Sequence, residues 1–572
     1  MAVSVSDGPN TKELKSWANL EVVRGKMYYT TATVDVASAE AVNEALANVT
    51  TTPTTVNLTA TIDASAGALD IPDAAENVTL NFTEAPTTTE SAPLTINQND
   101  GETSGTATSE LNVMMPADAT DLHATINAPT TTVTLNGGSY SKVTATTATN
   151  TLIIGEGVTI EKLVIEGGNV VLKGNVKSIS STADTTRVTL GDNISLNQSL
   201  KFTAGTITLD MNGQTITANG DGIEVTDGTL TITGNGTVKA GQETTPADTY
   251  VAVWANGGDV IIENGTYEIA ADKNGHTNDC AYAKKSTITI NGGTFTSWGT
   301  YNPPSGGMVV NANNKADFAG SKVTINGGTF NLIGDARFYE NGDYTEGRVV
   351  FGTDASYTMN LTTDVTISKA ITIPTGITAT INLNGFDVTA PNTDAFEVQG
   401  ILTIEGTDES VVKAGTVKEE TGSVCAVWAH NGGEVTIDGG HYIVYEDKDG
   451  KRNDCIYAGS NAQETSGTIT INGGKFEYGS ETGTETAYNG HLFLLNCANS
   501  QPTSKITVNG GSFKNHVPSF ENLGTTGEVV LGEDVNVYNE GGTEQTSAHT
   551  SGTEVWYTVK ESSFGNTEYI PV

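Results

Sequence analysis

The sequence is poor in basic residues, and this shortage excludes several classes of partner. Lysine and arginine number 28, of which only five are arginine, against 67 aspartates and glutamates, so the net charge is −39. Nucleic acids and anionic membrane surfaces are negative and repel such a chain. A lyase of the pectate type needs a basic residue beside bound calcium, and so few arginines give it little support. We therefore expect neither a nucleic-acid partner nor a membrane partner.

Long apolar runs are also lacking. No stretch approaches the roughly 18 apolar residues that a membrane-spanning helix requires. The opening residues Met1–Asp7 contain neither a basic region nor an apolar core of the kind that begins a secretory signal. The sequence therefore predicts no signal peptide and synthesis in the cytoplasm.

Cysteine is scarce, and no two cysteines are spaced as a metal-binding pair; they are Cys280, Cys425, Cys455 and Cys497. We expect neither a disulfide framework nor a metal site, and no cofactor. Cys280 and Cys455 lie in alternating segments and are predicted to be buried as small apolar side chains. Two acidic loops, residues 272–275 and 447–450, are interpreted as turns in preference to calcium sites.

What the sequence does contain is a repeated six-residue unit. It reads aliphatic, polar, Gly or Asn, Gly, polar, aromatic, and its copies are residues 135–140, 262–267, 290–295, 325–330, 437–442, 471–476 and 508–513. Alternating β-branched residues precede the copies, as in Thr287–Ile290, which predicts half-buried strands with isoleucine inward and threonine outward. Glycine supplies the positive φ of the turn. The aromatic residue that follows is predicted to return to a stacked core.

The spacing of the units predicts the fold class. Successive copies in the two main runs lie about 28 to 37 residues apart, enough for a coil of two or three short strands. We therefore predict an all-β, right-handed parallel β-helix, or solenoid, the hand following from the general rule for parallel crossovers. Residues 38–49 have an N-capping Ser38 and one apolar face, which predicts a short helix that caps the first coil.

The sequence also contains a longer duplication that spans several coils. Residues 190–360 resemble residues 361–540: Ala252–Ala255 matches Ala426–Ala429, and Asn278–Ala283 matches Asn453–Ala458. The predicted organisation is an N-terminal attachment segment, a capping helix with irregular threonine-rich coils, two repeat copies and a C-terminal strand or cap, over residues 1–36, 37–189, 190–360, 361–540 and 541–572.

The duplication bears on candidate functional residues. Asp279 and Asp454 recur in both copies, which argues for a structural role because an enzyme seldom keeps two copies of one site. No carboxylate pair stands out for glycoside hydrolysis, and we predict no catalytic residue. Trp254 and Trp428 also match. A tryptophan at a coil corner fills the core, which is the favoured interpretation, or it contacts a glycan when exposed.

The first 30 residues differ from the rest in charge. They hold four basic and three acidic residues together with several aromatic and aliphatic side chains. Interfaces favour aromatic residues over dense charge, so Trp17, Leu20, Tyr28 and Tyr29 are predicted to attach the protein to a partner. The alternative is an extra strand packed on its own first coil.

The helix-then-coil opening at residues 38–58, the Leu-x-x-Asn-Gly turn at Leu209–Gly213 and the repeated unit carry a resemblance. They resemble β-helix repeat proteins of bacteriophages of gut Bacteroidetes, including crAss-like phages. The resemblance implies a right-handed β-helix and a structural role in the virion, as a head fibre or capsid decoration assembled in the host cytoplasm. It also implies a capsid or auxiliary capsid protein as partner, and contact of an exposed acidic shaft with the host surface or its glycans.

Closed symmetric assembly is common among fibres, so we expect a homotrimer, with a dimer as the alternative. Two other functions stay open. One is a polysaccharide-degrading enzyme of the tailspike type, and the other is a bacterial surface adhesin.

Overall fold

The structure is a computed structural model. It describes residues 6–7, 10–11, 30–34, 38–46, 54–72, 77–98, 109–147, 149–241, 250–269, 278–298, 308–312, 320–333, 338, 348–367, 369–415, 424–445, 453–460, 466–479, 494–497, 504–514, 528–545 and 556–561. The chain divides into two compact units. Unit 1 comprises Met1–Gly293, Val310–Val323 and Asn341–Arg348, and unit 2 comprises Thr294–Val309, Thr324–Glu340 and Val349–Val572.

Unit 1 is built from three sheets of short strands. The first runs through Thr30–Val34, Thr54–Leu58, Asn77–Phe82, Ser109–Met114, Thr131–Asn136, Thr151–Ile154, Asn169–Leu172, Thr186–Leu190, Thr206–Asp210, Thr229–Thr233, Asp259–Ile262 and Thr287–Ile290. The second runs through Leu69–Ile71, Leu94–Gln98, Leu122–Asn127, Ser139–Ala145, Thr159–Ile165, Asn175–Ser181, Leu200–Ala204, Ile223–Val225, Val251–Asn256, Asp279–Lys284 and Val310–Ala312. The third holds Ile194–Leu196, Thr215–Ala218, Thr237–Ala240 and Thr266–Ile269.

The strands of each sheet pair in parallel, one coil to the next. Thr131–Asn136 pairs with Thr151–Ile154, for example, and the strand Ser139–Ala145 of the second sheet lies between them in the chain. Coils before residue 190 thus contribute to two sheets, and coils after it contribute to three. Inward positions are aliphatic and buried, as the alternating burial of Thr131–Asn136 shows. This is the predicted parallel β-helix; its right hand stays a prediction.

A short helix, Ala39–Leu46, packs at the start of unit 1 against Leu69–Ile71, the end strand of the second sheet. The backbone N–H of Ala41 donates to Ser38 Oγ at 3.3 Å, so Ser38 is the predicted N-cap. Asn43 bonds the edge of that strand, because its Nδ2 donates to Ala68 O at 2.9 Å and its Oδ1 accepts the Asp70 N–H at 2.8 Å. The helix therefore covers an edge that would otherwise template association.

Unit 2 also has three sheets. The first holds Thr294–Trp298, Thr329–Ile333, Ser356–Leu361, Thr378–Asn382, Ile401–Glu405, Gly433–Ile437, Gly467–Ile471, Lys505–Val508 and Glu528–Leu531. The second holds Val365–Thr366, Val388–Ala390, Val411–Ala414, His441–Tyr445, Lys475–Gly479, Gly511–Lys514, Val535–Asn539 and Trp556–Glu561. The third holds Ile371–Ile373, Phe396–Val398, Cys425–Ala429, Asp454–Ala458 and Leu495–Cys497.

The remaining described elements are few. The strands Lys322–Ile325 and Arg348–Phe351 lie where the two units meet in sequence, Ala64–Ala66 is one turn of 3-10 helix, and Ser6–Asp7 pairs antiparallel with Asn10–Thr11. Thr30–Val34, inside the predicted attachment segment, is already the first strand of a sheet. In the described part of the chain, no helix is both long and apolar enough to cross a bilayer.

The two glycines of the repeated unit serve different purposes. The second has a positive φ, 104° at Gly293 and 100° at Gly474, as the turn requires. The first lies against the neighbouring coil: a Cβ on Gly510 would meet the carbonyl oxygen of Asn472 at 2.2 Å. The sequence predicted only the conformational role, and the close approach of adjacent coils explains the first glycine in the copies that have one.

The aromatic residue of every unit is buried, as predicted; the seven are Tyr140, Tyr267, Phe295, Phe330, Tyr442, Phe476 and Phe513. In unit 2 they form stacks along the coils. The Phe295 and Phe330 ring centroids are 5.2 Å apart, and Phe476 lies 5.1 Å from Tyr442 and 4.9 Å from Phe513, with ring planes within 13° of parallel. These stacks add to the apolar area that each coil buries.

Asparagine side chains in register form amide ladders on the coil surface. In unit 2, Asn360 Nδ2 donates to Asn331 Oδ1 at 2.9 Å, and Asn382 Nδ2 donates to Asn360 Oδ1 at 2.7 Å. At the turns, Asn472 donates to Asp438 and Asn509 donates to Asn472, both at 2.8 Å. These amide donors thereby bond side chains one coil away, while the buried Asn382 Oδ1 has no partner among the described residues.

The second sheet of unit 2 ends in a change of strand direction. Trp556–Glu561 pairs antiparallel with Gly511–Lys514 and with Val535–Asn539. The strand covers the edge of the last parallel strand, which fits a C-terminal cap.

Candidate functional site

The outer face of the second sheet in unit 1 carries a column of large polar and aromatic side chains. Consecutive coils place Lys201, Glu224, Trp254, Tyr282 and Asn311 in direct register. Their neighbours along each strand point into the core, so by strand alternation the column lies on the opposite, outer face of the sheet, where Lys201, Trp254 and Tyr282 are half-buried and Glu224 and Asn311 are buried. We call this column the first ladder.

Unit 2 contains the same column on its third sheet. Thr372, Glu397, Trp428, Tyr457 and Asn496 pair in register on consecutive coils, and we call them the second ladder. Four of its five positions repeat the residue type of the first ladder. Each ladder lies wholly within one unit.

The favoured interpretation of the two tryptophans as core plugs is wrong. Val253 and Ala255 point into the core and are fully buried, and Trp254 between them is half-buried on the outer face. Trp428 lies in the same way within Cys425–Ala429. The physical reason is the two-residue alternation of a strand, which gives the inner face to the smaller side chains here.

The aromatic rings of each ladder lie side by side. The Trp254 and Tyr282 centroids are 6.3 Å apart with planes 21° from parallel, and Trp428 and Tyr457 are 6.3 Å apart at 13°. Half-buried aromatic residues with polar neighbours are the combination that sugar rings contact, because one surface packs on apolar C–H groups while neighbouring side chains bond hydroxyls.

The glutamates of the ladders are held by different partners. Glu224 bonds Lys201 Nζ at 2.7 Å and accepts the Asn256 amide N–H at 2.9 Å. Glu397 instead contacts His430 Nε2 at 3.0 Å. The His430 ring also stacks on Trp428, with centroids 4.0 Å apart, so it covers one face of that indole.

The indole N–H groups differ as well. Trp428 Nε1 donates to Gly459 O at 2.9 Å, whereas Trp254 Nε1 is buried and has no hydrogen-bond acceptor among the described residues. The position that matches Gly459 is Lys284, whose Nζ lies 5.7 Å from the centre of the Trp254 ring.

Two aspartates beside the ladders, Asp221 and Asp394, have raised pKa values. Burial raises the pKa of Asp221 to about 6 and that of Asp394 to about 6, and the nearby Glu224 and Glu397 add to the effect. Asp221 Oδ1 accepts the Val251 N–H at 2.8 Å. Asp394 Oδ1 accepts the Cys425 N–H at 2.6 Å. Each carboxyl therefore accepts a backbone hydrogen bond from the strand that carries the tryptophan of its ladder.

Asp279 and Asp454 are buried and hydrogen-bonded, in agreement with a structural role. Asn311 Nδ2 donates to Asp279 Oδ2 at 2.8 Å, and Asn496 Nδ2 donates to Asp454 Oδ2 at 2.9 Å. The last position of each ladder is therefore fixed by the aspartate that the sequence had singled out.

The four cysteines are free and buried. Cys280 Sγ donates to Tyr267 O at 3.0 Å, and burial raises the pKa of the Cys455 thiol well above its usual range. The prediction that these two side chains are buried is confirmed, and a buried thiol of raised pKa is a poor nucleophile.

Several predicted sites lie outside the described residues: the attachment residues Trp17, Leu20, Tyr28 and Tyr29, and the acidic loops 272–275 and 447–450. Among the residues that the structure does describe, no group of three or more histidine, cysteine or carboxylate side chains is placed to hold a metal ion.

Sequence reasoning missed most of each ladder. Tyr282 and Tyr457 recur in the matched segments, and so do Glu224 and Glu397, so the signal was present. The sequence could not predict the register that aligns these residues, because coil lengths vary.

Comparison of the chain with known protein families, with curated proteins and with solved structures gives no match.

Proposed function

We propose that this protein is a non-enzymatic structural protein of a virus particle, a head fibre or capsid decoration. Its N-terminal segment fixes it to a capsid or auxiliary capsid protein, and its acidic coils face the host surface. The virion setting rests on the resemblance of the repeats and of the helix-then-coil opening. The two ladders contact host glycans.

The observation that carries the glycan proposal is the duplication of the ladder. The same outer-face order of carboxylate, tryptophan, tyrosine and asparagine occurs in both units. Two similar sites on one chain suit multivalent attachment, in which weak contacts add through effective concentration.

The binding test uses the intact protein and host surface polysaccharide in affinity electrophoresis. We expect retardation of the native chain and loss of most of it in a variant with both Trp254→Ala and Trp428→Ala. A matched control replaces Tyr538, which lies off both ladders, by Phe. Unchanged retardation of the double variant would rule out the ladders as the glycan sites.

The virion part of the proposal has its own test. Antibodies against the protein should label intact phage particles at regular positions in immunogold electron microscopy. Label confined to the bacterial envelope would favour the surface adhesin instead.

A polysaccharide-degrading enzyme is the second candidate, and one observation favours it. Asp221 has its pKa raised to about 6, while its neighbour Glu224 is held by Lys201. A carboxyl of raised pKa beside a second carboxyl group is the pattern of glycosidases. We favour binding because Asp221 Oδ1 is already bonded to a backbone N–H. New reducing ends or unsaturated sugars, abolished by Asp221→Asn and Asp394→Asn together, would establish the enzyme.

A further inference from the structure

Each ladder runs across the strands, in the direction in which the coils stack. Its five positions lie on consecutive coils and pair in direct register. Neighbouring strands of a sheet are about 4.8 Å apart, so a whole ladder spans roughly 19 Å. A ligand that contacts every position of a ladder must therefore be extended in the same direction.

All five side chains of the second ladder are partly accessible. Thr372, Glu397, Trp428, Tyr457 and Asn496 are each half-buried. The Glu397 side chain, which lies next to the tryptophan in the column, keeps 27% of its surface exposed. The second ladder thus offers a continuous contact surface over five coils.

In the first ladder the accessible surface is interrupted on both sides of the aromatic pair. Trp254 and Tyr282 are half-buried. The Glu224 side chain before them keeps only 7% of its surface exposed, and Asn311 after them is 1% exposed. The contact surface at the centre of this ladder therefore covers two coils.

Trp428 of the second ladder is fixed by contacts on two sides. Its Nε1 donates to Gly459 O at 2.9 Å, and the His430 ring stacks on it with centroids 4.0 Å apart. An aromatic side chain that is already held in place loses little conformational freedom when a ligand packs on it. Because His430 covers one face of the indole, a sugar packs on the rest of the indole surface and on Tyr457.

A straight column of this kind matches one shape of glycan. A β-1,4-linked chain of glucose-like sugars is an extended ribbon that advances by about one strand spacing per sugar. Its C–H faces pack on aromatic rings, and its hydroxyl groups bond carboxylate and amide side chains. An α-1,4-linked chain of the same sugars curves, and it leaves a straight column after a short contact.

We propose that the ladders bind extended, β-linked glycan chains that lie along the stacking direction of the coils. The second ladder contacts about four sugar units and the first about two, as their accessible lengths allow. This inference rests on the proposed glycan binding and adds the shape and the length of the ligand.

The test is calorimetric titration of the full chain with cello-oligosaccharides of two and of four units. Trp254→Ala leaves the second ladder to be measured, and Trp428→Ala leaves the first. In the Trp254→Ala chain, we expect the tetrasaccharide to bind more than about tenfold tighter than the disaccharide, since further side chains come into contact. In the Trp428→Ala chain, the gain should stay below about threefold. Binding at the remaining ladder shows that each variant is folded.

The last position of each ladder supplies a matched pair of variants. Asn496→Ala, made in the Trp254→Ala chain, should weaken tetrasaccharide binding about fivefold, as for one hydrogen bond, and leave disaccharide binding unchanged. Asn311→Ala, made in the Trp428→Ala chain, should change neither, because Asn311 is buried. Both substitutions remove the same kind of hydrogen bond to an aspartate, so their effects on folding are matched.

Malto-oligosaccharides of equal length test the shape of the ligand, and we expect them to gain little from two to four units. If both ladders gain equally with cello-oligosaccharide length, or if Asn311→Ala and Asn496→Ala act alike, the assignment of lengths is wrong while glycan binding stands. An equal gain for malto-oligosaccharides would overturn the extended shape. If the native chain binds neither series, glycan binding by the ladders fails for these sugars, and the inference fails with it.

Discussion

At the scale of single residues, the half-buried Asp221 makes stability depend on pH. Its folded pKa, about 6, lies above the ordinary aspartate value of 3.8. The folded state therefore binds more protons than the unfolded state between about pH 4 and pH 6. The contribution of this residue to the free energy of unfolding is fully present below that window and falls as pH rises through it.

Asp221→Asn should accordingly stabilise the protein at pH 8 by on the order of 1–2 kcal/mol and leave it unchanged near pH 3.5. The asparagine keeps an acceptor for the Val251 N–H and removes the half-buried charge. Melting at the two pH values measures the difference. The control Asp227→Asn, at an exposed turn in the same coil, should show no such pH dependence; an equal effect in both variants would assign it to net charge alone.

The two ladder tryptophans provide a second, paired prediction. Trp428→Phe removes the hydrogen bond to Gly459 O and should destabilise unit 2 by about 1 kcal/mol more than Trp254→Phe destabilises unit 1. The loss of ring area is the same in both, so it cancels in the comparison. Local stability is read from hydrogen exchange of the strands Cys425–Ala429 and Val251–Asn256. Equal losses would mean that the indole bond contributes nothing.

At the scale of elements, the aromatic stack should respond locally. Phe330 is fully buried and stacks on Phe295, so Phe330→Ala should cost about 3–5 kcal/mol. Each coil contacts mainly its neighbours, so exchange should accelerate at Thr329–Ile333 and Ser356–Leu361 and stay slow at Lys505–Val508. Thr358→Ala, on the outer face, is the control. Uniform acceleration through unit 2 would show that the coils unfold as one cooperative body.

The closing strand Trp556–Glu561 should keep the protein from associating. Removing residues 556–572 exposes the edges of Gly511–Lys514 and Val535–Asn539, which the strand now pairs with. We expect concentration-dependent aggregates in light scattering. Removing only residues 562–572 leaves the strand and should give no aggregates; if both truncations aggregate, the cause is not the exposed edge.

The elements also show how far sequence reasoning reached. The repeated unit predicted the strand, the turn and the buried aromatic at Phe295 and Phe476, because period-two alternation and glycine turns are local signals. The ladders could not be predicted from the sequence, because they depend on which residues of different coils pair in register. Trp254 was wrongly assigned to the core because the sequence does not show which of the two alternating sets of side chains faces inward. The structure shows that Val253 and Ala255 face the core, so Trp254 faces outward.

At the scale of the whole molecule, attachment and folding should be separable. Deleting residues 1–29 leaves Thr30–Val34, which pairs with Thr54–Leu58, in place. We expect a folded chain that no longer binds phage particles, because Trp17, Leu20, Tyr28 and Tyr29 are gone. Circular dichroism and co-sedimentation with particles measure the two properties, and removal of residues 562–572 is the control. Full particle binding by the shortened chain would place the anchor elsewhere.

The amide ladders have a consequence for chemical ageing. Asparagine followed by glycine is the sequence most prone to deamidation, in which the next backbone nitrogen attacks the side-chain carbonyl. Here the Asn472 and Asn509 amides are held by neighbouring coils, and the N–H groups of Gly473 and Gly510 donate to Ile437 O and Ile471 O. Both reacting groups are restrained away from the cyclic intermediate. The turns that build the coils are thus protected from spontaneous conversion to aspartate, which would set a new carboxylate beside Asp438 and weaken the coil contact.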